Sequence, residues 1–303
     1  STFAVIRVNN DGRPDFVSNP FNGPYPTQAQ AFARFCNVSN VAGCLTPIAN
    51  EIAPPDEFAK VTRSYQGSIG VARQVRNDTA IEADYVYTGS RNEKVIQGNA
   101  NLTYDAATGV NNPFSNKSLR PEPLWGTVSI TPYAGRSDYH GLQTSVTKRF
   151  ANRWQAGANY TLSHLKNADP LPMSGLRQVT FDVAGDLGNE YTLAVTDQRH
   201  RAVFNGIWEI AGGLQVSGLY FYGSGERRST SAGADNRDLG GDSTERVLAL
   251  GDGGFGGVPV CANPAGCIVP RNNFVGDPIH RVDMRLQQRI PLGGNVSLDG
   301  MLE

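Results

Sequence analysis

Side chains on a β-strand point alternately to its two faces. This chain repeats that period of two in four pairs of segments, each pair joined by a short turn. In 65–75, Tyr65, Gly67, Ile69 and Val71 alternate with Gln66, Ser68, Gly70 and Ala72; after Arg76-Asn77-Asp78, Ile81, Ala83, Tyr85 and Tyr87 stand against Glu82 and Asp84. Leu142, Thr144 and Val146 alternate with Gln143, Ser145 and Thr147. Past Ala151-Asn152-Arg153, Trp154, Ala156, Ala158, Tyr160 and Leu162 alternate with Gln155, Gly157, Asn159, Thr161 and Ser163. Ala202, Phe204, Gly206, Trp208 and Ile210 share a face, and beyond Ala211-Gly212-Gly213 so do Leu214, Val216, Gly218, Tyr220 and Tyr222. Finally Val282, Met284, Leu286 and Ile290 oppose Arg281, Asp283, Arg285, Gln287 and Arg289, followed past Pro291-Leu292-Gly293-Gly294 by Val296, Leu298 and Leu302 against Ser297, Asp299 and Glu303.

These pairs predict hairpins near 61–90, 139–164, 199–223 and 279–303, separated by long connections near 9–60, 91–138, 165–198 and 224–278. Long structureless connections are uncommon inside a compact soluble domain. Short turns at one end and long loops at the other are the habit of outer-membrane barrels. Strands of about ten residues, rising roughly 3.3 Å each and tilted near 45°, cover an apolar band of about 25 Å. The aromatics sort by height: Tyr65, Tyr85, Tyr87, Tyr160, Tyr220 and Tyr222 lie toward the long-loop ends, Phe150, Trp154 and Trp208 toward the short turns. Two such belts match rings resting at the two membrane interfaces. The fold expected is all-β: an antiparallel up-and-down transmembrane barrel segment of about eight strands. A soluble β-sandwich would explain the alternation but neither the loop asymmetry nor the belts.

Composition narrows the alternatives. The 303 residues would fill one large domain or two ordinary ones. Lys plus Arg is 27 and Asp plus Glu 28, so the net charge of −1 argues against a nucleic-acid partner. No apolar run approaches the ~18–20 residues of a spanning helix, whereas a strand-built membrane protein hardly raises mean hydropathy. Ser1 follows no signal-peptide pattern, which predicts a processed protein or a piece of a longer one. Of the four cysteines, Cys36 lies near Cys44 and Cys261 near Cys267, the latter two in the loop CANPAGC. Two loop disulfides in an oxidising compartment are the first reading, with unpaired thiols or metal ligands as alternatives.

Catalytic patterns are sparse. The sequence contains no GxSxG, HExxH, Walker loop or dinucleotide fingerprint. His140, His164, His200 and His280 stand apart in sequence, each near an expected strand end, which suits interfacial or loop-packing roles. Asp197-Gln198-Arg199-His200-Arg201 reads as an ion-paired rim before a ligand contact. Asp235, Asn236, Asp238, Asp242 and Asp252 lie in a glycine-rich region. Of these, Asp235, Asp238 and Asp242 are weak calcium candidates beside the simpler reading of a solvated loop. No cofactor is expected.

The segment SDYHGLQTSVTKRFANRWQAGANYTLSHLKN (137–167) resembles the barrel hairpin of Oar-like TonB-dependent receptors, common in acidobacteria and related bacteria. DQRHRAVFNGIWEI (197–210), SYQGSIGVARQVRNDTAIEADYVYTGSR (64–91) and HRVDMRLQQRIPLGGNVSLDGMLE (280–303) are similar to further segments of that family, in its order. The resemblance implies a bacterial outer-membrane barrel of roughly 22 strands with an N-terminal plug. Such a receptor draws energy from the TonB system to import a large solute bound by external loops. This sequence holds about eight strands and no plug-like region, so it reads as a later part of such a barrel. FAVIRV near residue 3 is expected to be the tail of one barrel strand and VSLDGMLE the front of another, with neighbouring strands before Ser1 and after Glu303. The partners expected are outer-membrane lipid, the TonB system through a plug absent from this chain, and an unidentified large solute. A non-transporting surface adhesion or scaffold protein and a soluble β-rich hydrolase are the alternatives.

Overall fold

A computed structural model of the chain describes residues 2–8, 10–34, 45–52, 59–95, 99–105, 107–108, 110–123, 125–130, 132–168, 187–230, 235, 237–240, 246–247, 268–294 and 296–303. In chain order its strands are β1 (Thr2–Val8), β2 (Leu45–Ile52), β3 (Arg63–Arg76), β4 (Thr79–Glu93), β5 (Tyr104–Asp105), β6 (Val110–Asn111), β7 (Thr127–Ile130) and β8 (Gly135–Ala151). They continue as β9 (Trp154–Asn167), β10 (Thr192–Leu193), β11 (His200–Glu209), β12 (Leu214–Gly223), β13 (Arg227–Arg228), β14 (Phe274–Val275), β15 (Ile279–Gly293) and β16 (Val296–Leu302). One five-residue helix, α1 (Gln28–Phe32), starts at Thr27, whose side chain accepts from the Gln30 amide while the Gln30 side chain accepts from the Thr27 amide.

The eight long strands form one antiparallel wall in the order β16-β15-β12-β11-β9-β8-β4-β3. Each expected period-two pair is a hairpin, and each hairpin pairs with the next across a long connection. The turns explain the local geometry. Asn152 and Arg153 both adopt positive φ, 53° and 73°, as do Gly212 and Gly213, 60° and 79°; this backbone twist suits two-residue hairpin turns. At the β3–β4 turn Lys148 reaches across from β8 to Asp78 at 3.1 Å, and its hydrogen bond holds the Asp78 carboxyl below the usual carboxylate range.

Register confirms the two faces. Ile81 faces Val146, Val146 faces Ala158, Ala158 faces Phe204, and Phe204 faces Tyr220. The opposite surface sets Glu82 against Ser145 and Ser145 against Asn159. The apolar side is not covered: Ile69 is 75% exposed, Val282 63% and Met284 64%. A contiguous apolar surface on that scale exceeds what soluble monomers leave in water.

Two expectations need correction. FAVIRV is a strand, but not of the wall: β1 pairs antiparallel with β2, and β2 pairs parallel with β7, in a separate three-stranded sheet. The segment is apolar at successive positions rather than alternate ones, which fits no two-faced wall strand. The long connections are also not structureless, since among the described residues they carry β5–β7, β10, β13, β14 and two short 3-10 turns. Most of the buried apolar residues sit there: Val95, Leu102, Leu239 and Val269 belong to the connections and Val128 to β7, with only Ala202 in the wall.

Arg153 occupies the left-handed region without glycine's freedom, a cost of about 1–2 kcal/mol for a residue with a Cβ. Arg153→Gly should therefore stabilise the β8–β9 hairpin by about 1 kcal/mol, read as a raised urea midpoint of the refolded protein.

Candidate functional site

The wall has two functional surfaces and a folded cap at its long-loop end. On the polar face, the Ser145 hydroxyl donates to Glu82 at 3.4 Å. Arg281 pairs with Asp283 at 2.9 Å, Arg289 with Asp299 at 2.9 Å, and Arg285 with Glu303. A shallow hollow of about 630 Å³ lies among Gln155, Asn205, Ser217, Asp283 and Arg285. Mixed charges and small polar groups suit a wetted surface, not a packed interior. A larger furrow of about 1060 Å³ runs over the apolar side among Trp154, Phe204, Trp208 and Met284, a lining suited to acyl chains.

The cap is held by buried polar contacts. Glu190, 1% exposed, receives two hydrogen bonds from the Arg246 guanidinium, at 2.8 and 3.0 Å. Arg271 lies 4.0 Å from the same carboxylate and donates to the carbonyls of Asn167 and Glu190 at 2.6 and 2.9 Å. Asp197 is also buried; it accepts from the Leu165 amide at 2.7 Å and from Arg227 at 2.7 Å. In the same polar run, Arg201 stacks 5.7 Å from the Phe221 ring. Buried charges of this kind are tolerable only when paired and hydrogen-bonded. Sequence reasoning found Asp197 but not Glu190, Arg246 or Arg271.

The aromatic residues of the expected belts lie on the apolar face. Tyr65, Tyr85, Phe150, Trp154, Tyr160 and Trp208 are exposed and Tyr87, Tyr220 and Tyr222 half-buried. Trp154 and Trp208 are register partners at the short-turn end, and the Lys148 ammonium sits 4.1 Å over the Trp154 ring. At the long-loop end the histidines, separate in sequence, fall into one row. The Tyr85, Tyr160 and Tyr220 hydroxyls lie 2.7, 2.8 and 2.8 Å from Nδ1 of His140, His200 and His280. His164 stacks on His140 at 4.8 Å between centroids. The signal was available: in HGL, HRA and HRV the histidine lies toward the start of the first strand of a hairpin pair.

Asp138 closes the row, accepting from Tyr87 at 2.8 Å, Arg91 at 2.7 Å and Tyr191 at 2.5 Å. Burial, then the hydrogen bond to Asp138, pushes the Tyr191 phenol up to about 12. The weak calcium candidates serve other partners. Asp235 accepts from the Leu239 and Gly240 amides at 2.6 and 3.1 Å, and Asp238 from the Ser115 amide and hydroxyl at 3.0 and 2.5 Å. Asp242 and Cys36, Cys44, Cys261 and Cys267 lie outside the described residues. Among the described residues no three His, Cys, Asp or Glu side chains converge as a metal site.

Residues 4–300 match the family model described as an outer membrane beta barrel domain. Among solved structures, the outer membrane transporter YddB from Escherichia coli is similar, with 11% identity and a TM-score of 0.44 over 80% of this chain and 28% of that one. The chain thus spans 28% of that transporter's length. No curated protein matches the sequence.

Two expected outcomes follow from these surfaces. Ala158→Arg, facing hydrocarbon at mid-wall, should cost about 2–4 kcal/mol in folding into lipid vesicles, and Val216→Arg, level with Trp208, only about 0–1. Asn159→Arg on the polar face should cost little; equal costs at Ala158 and Asn159 would refute the two-faced assignment. Glu190→Gln leaves two buried guanidiniums facing a neutral group and should destabilise the cap by about 3–5 kcal/mol. Faster protease cleavage of the connections, with the wall intact, is the measurement.

Proposed function

Given that the chain belongs to the outer-membrane β-barrel domain family, and so resides in the bacterial outer membrane, we propose that it is part of the wall of a TonB-dependent receptor. In this reading a large solute binds the cap of external loops and passes along the polar face into the cell, driven through a plug domain of the same receptor. The single observation behind the reading is the open, two-faced wall. Among the described residues β3 and β16 are each hydrogen-bonded on one side only, and in hydrocarbon each unsatisfied backbone group costs several kcal/mol. Further strands on both edges would enlarge the enclosed space beyond a side-chain-filled barrel, leaving room for a plug and a solute path. The resemblance of the four hairpins to Oar-like receptors supports the same arrangement.

The protein in this reading is not an enzyme: the polar face binds and passes a solute without chemical change. The cysteine pairs Cys36–Cys44 and Cys261–Cys267 are loop disulfides, formed in the oxidising space outside the cell. Each would close a short loop and shape its tip rather than hold the wall.

Uptake by whole cells tests the proposal. Solutes co-purifying with the intact receptor, identified by mass spectrometry, should accumulate in energised cells and fail to accumulate when the TonB system is deleted. Accumulation indifferent to that deletion would leave a passive pore. Absence of any uptake, with the protein correctly placed in the outer membrane, would favour the adhesion or scaffold alternative.

A further inference from the structure

Just beyond the Tyr–His row, the apolar face ends in a band of cations. Register sets Arg63 beside Arg91 and Arg91 beside Arg136, across β3, β4 and β8. Lys166 of β9 faces Asp138. Counting by twos from Tyr65, Tyr87, His140 and His164 places all four cations on the apolar side.

Little in the protein neutralises them. Asp138 is saturated by Arg91, Tyr87 and Tyr191. The Glu93 carboxylate accepts from the Ser137 hydroxyl at 2.7 Å. Arg63, Arg136 and Lys166 are exposed and make no ion pair among the described residues. The Arg136 guanidinium carbon instead lies over the Tyr191 ring, 3.9 Å from its centroid. Below the cations the face continues through His140 and His164 to the exposed side chains of Leu142 and Leu162.

We propose that this margin of β3, β4, β8 and β9 is a binding site for the phosphate groups of a phosphorylated lipid in the outer leaflet. Arg63, Arg136 and Lys166 contact the phosphates, Arg91 is held in the band by Asp138, and the acyl chains run down over Leu142 and Leu162. Charge complementarity selects an anion, and the apolar surface directly beneath selects one anchored in the membrane rather than free in the medium. The proposal rests on the lipid-facing assignment of this side of the wall but not on solute import.

The test is lipid retention by the intact receptor in detergent, measured by native mass spectrometry after exposure to diphosphorylated lipid A and to the same lipid with its phosphates removed. The wild-type protein should retain the phosphorylated form preferentially, and less of it in high salt. Arg63→Gln, Arg136→Gln and Lys166→Gln should each weaken retention about fivefold, the equivalent of ~1 kcal/mol per basic residue at a membrane surface. Unchanged heat-modifiability on gels would show that the variants remain folded. Equal retention of the two lipids, or wild-type retention by the triple variant, overturns the phosphate site. Displacement by millimolar inorganic phosphate overturns the membrane-anchored occupant. Failure to retain any lipid overturns the lipid-facing assignment as well.

Discussion

Inside hydrocarbon a backbone N–H or C=O has no water to bond, so a strand can cross only while a neighbour satisfies it along its length. The wall meets that demand with long ladders: β3 with β4 from Arg63 to Arg76, β4 with β8 from Thr79 to Glu93, β8 with β9 from Ser137 to Ala151. Once those ladders are in register, every side-chain direction is settled. A slip of β9 by one residue would carry Trp154, Ala156, Ala158 and Tyr160 to the polar side together. The two-faced wall is thus one consequence of backbone pairing, and the hydrophobic pattern selects which register survives.

The cap obeys a different rule. Its segments are held by single side chains that reach far along the chain: Asn99 to the Leu239 carbonyl, Ser115 to Asp238, Arg246 to Glu190. The Asn101 amide nitrogen alone contacts the carbonyls of Glu122, Trp125 and Gly126. These links put the burial of charge at the loop end, where water is near, while the apolar face carries lone charges only at its margins.

That division explains what was legible in the sequence. Alternation is local, so Tyr65 to Val71 or Trp154 to Leu162 announce a strand and its faces without any knowledge of partners. Glu190 and Arg246 are 56 residues apart, in stretches with no period, and nothing in either stretch marks the other. FAVIRV misled because strand propensity says that a segment is extended, not which sheet receives it. The histidines were visible but read one at a time; only register brings His140 beside His164 and Tyr87.

Those Tyr–His contacts share a property of topology. Tyr85–His140 joins β4 to β8, Tyr160–His200 joins β9 to β11, and Tyr220–His280 joins β12 to β15. Each therefore bridges two strands whose only covalent link is a long connection, and each lies in the half of the wall nearer that connection. A tight turn sets the register of a hairpin at the opposite end; here the phenol–imidazole clasp sets it where no turn does. The loops above are thereby decoupled from the alignment of the wall. Their length and sequence can drift, lengthen or be exchanged without dragging the strands beneath them out of step, which makes the outer rim of this wall a natural graft site for new recognition loops.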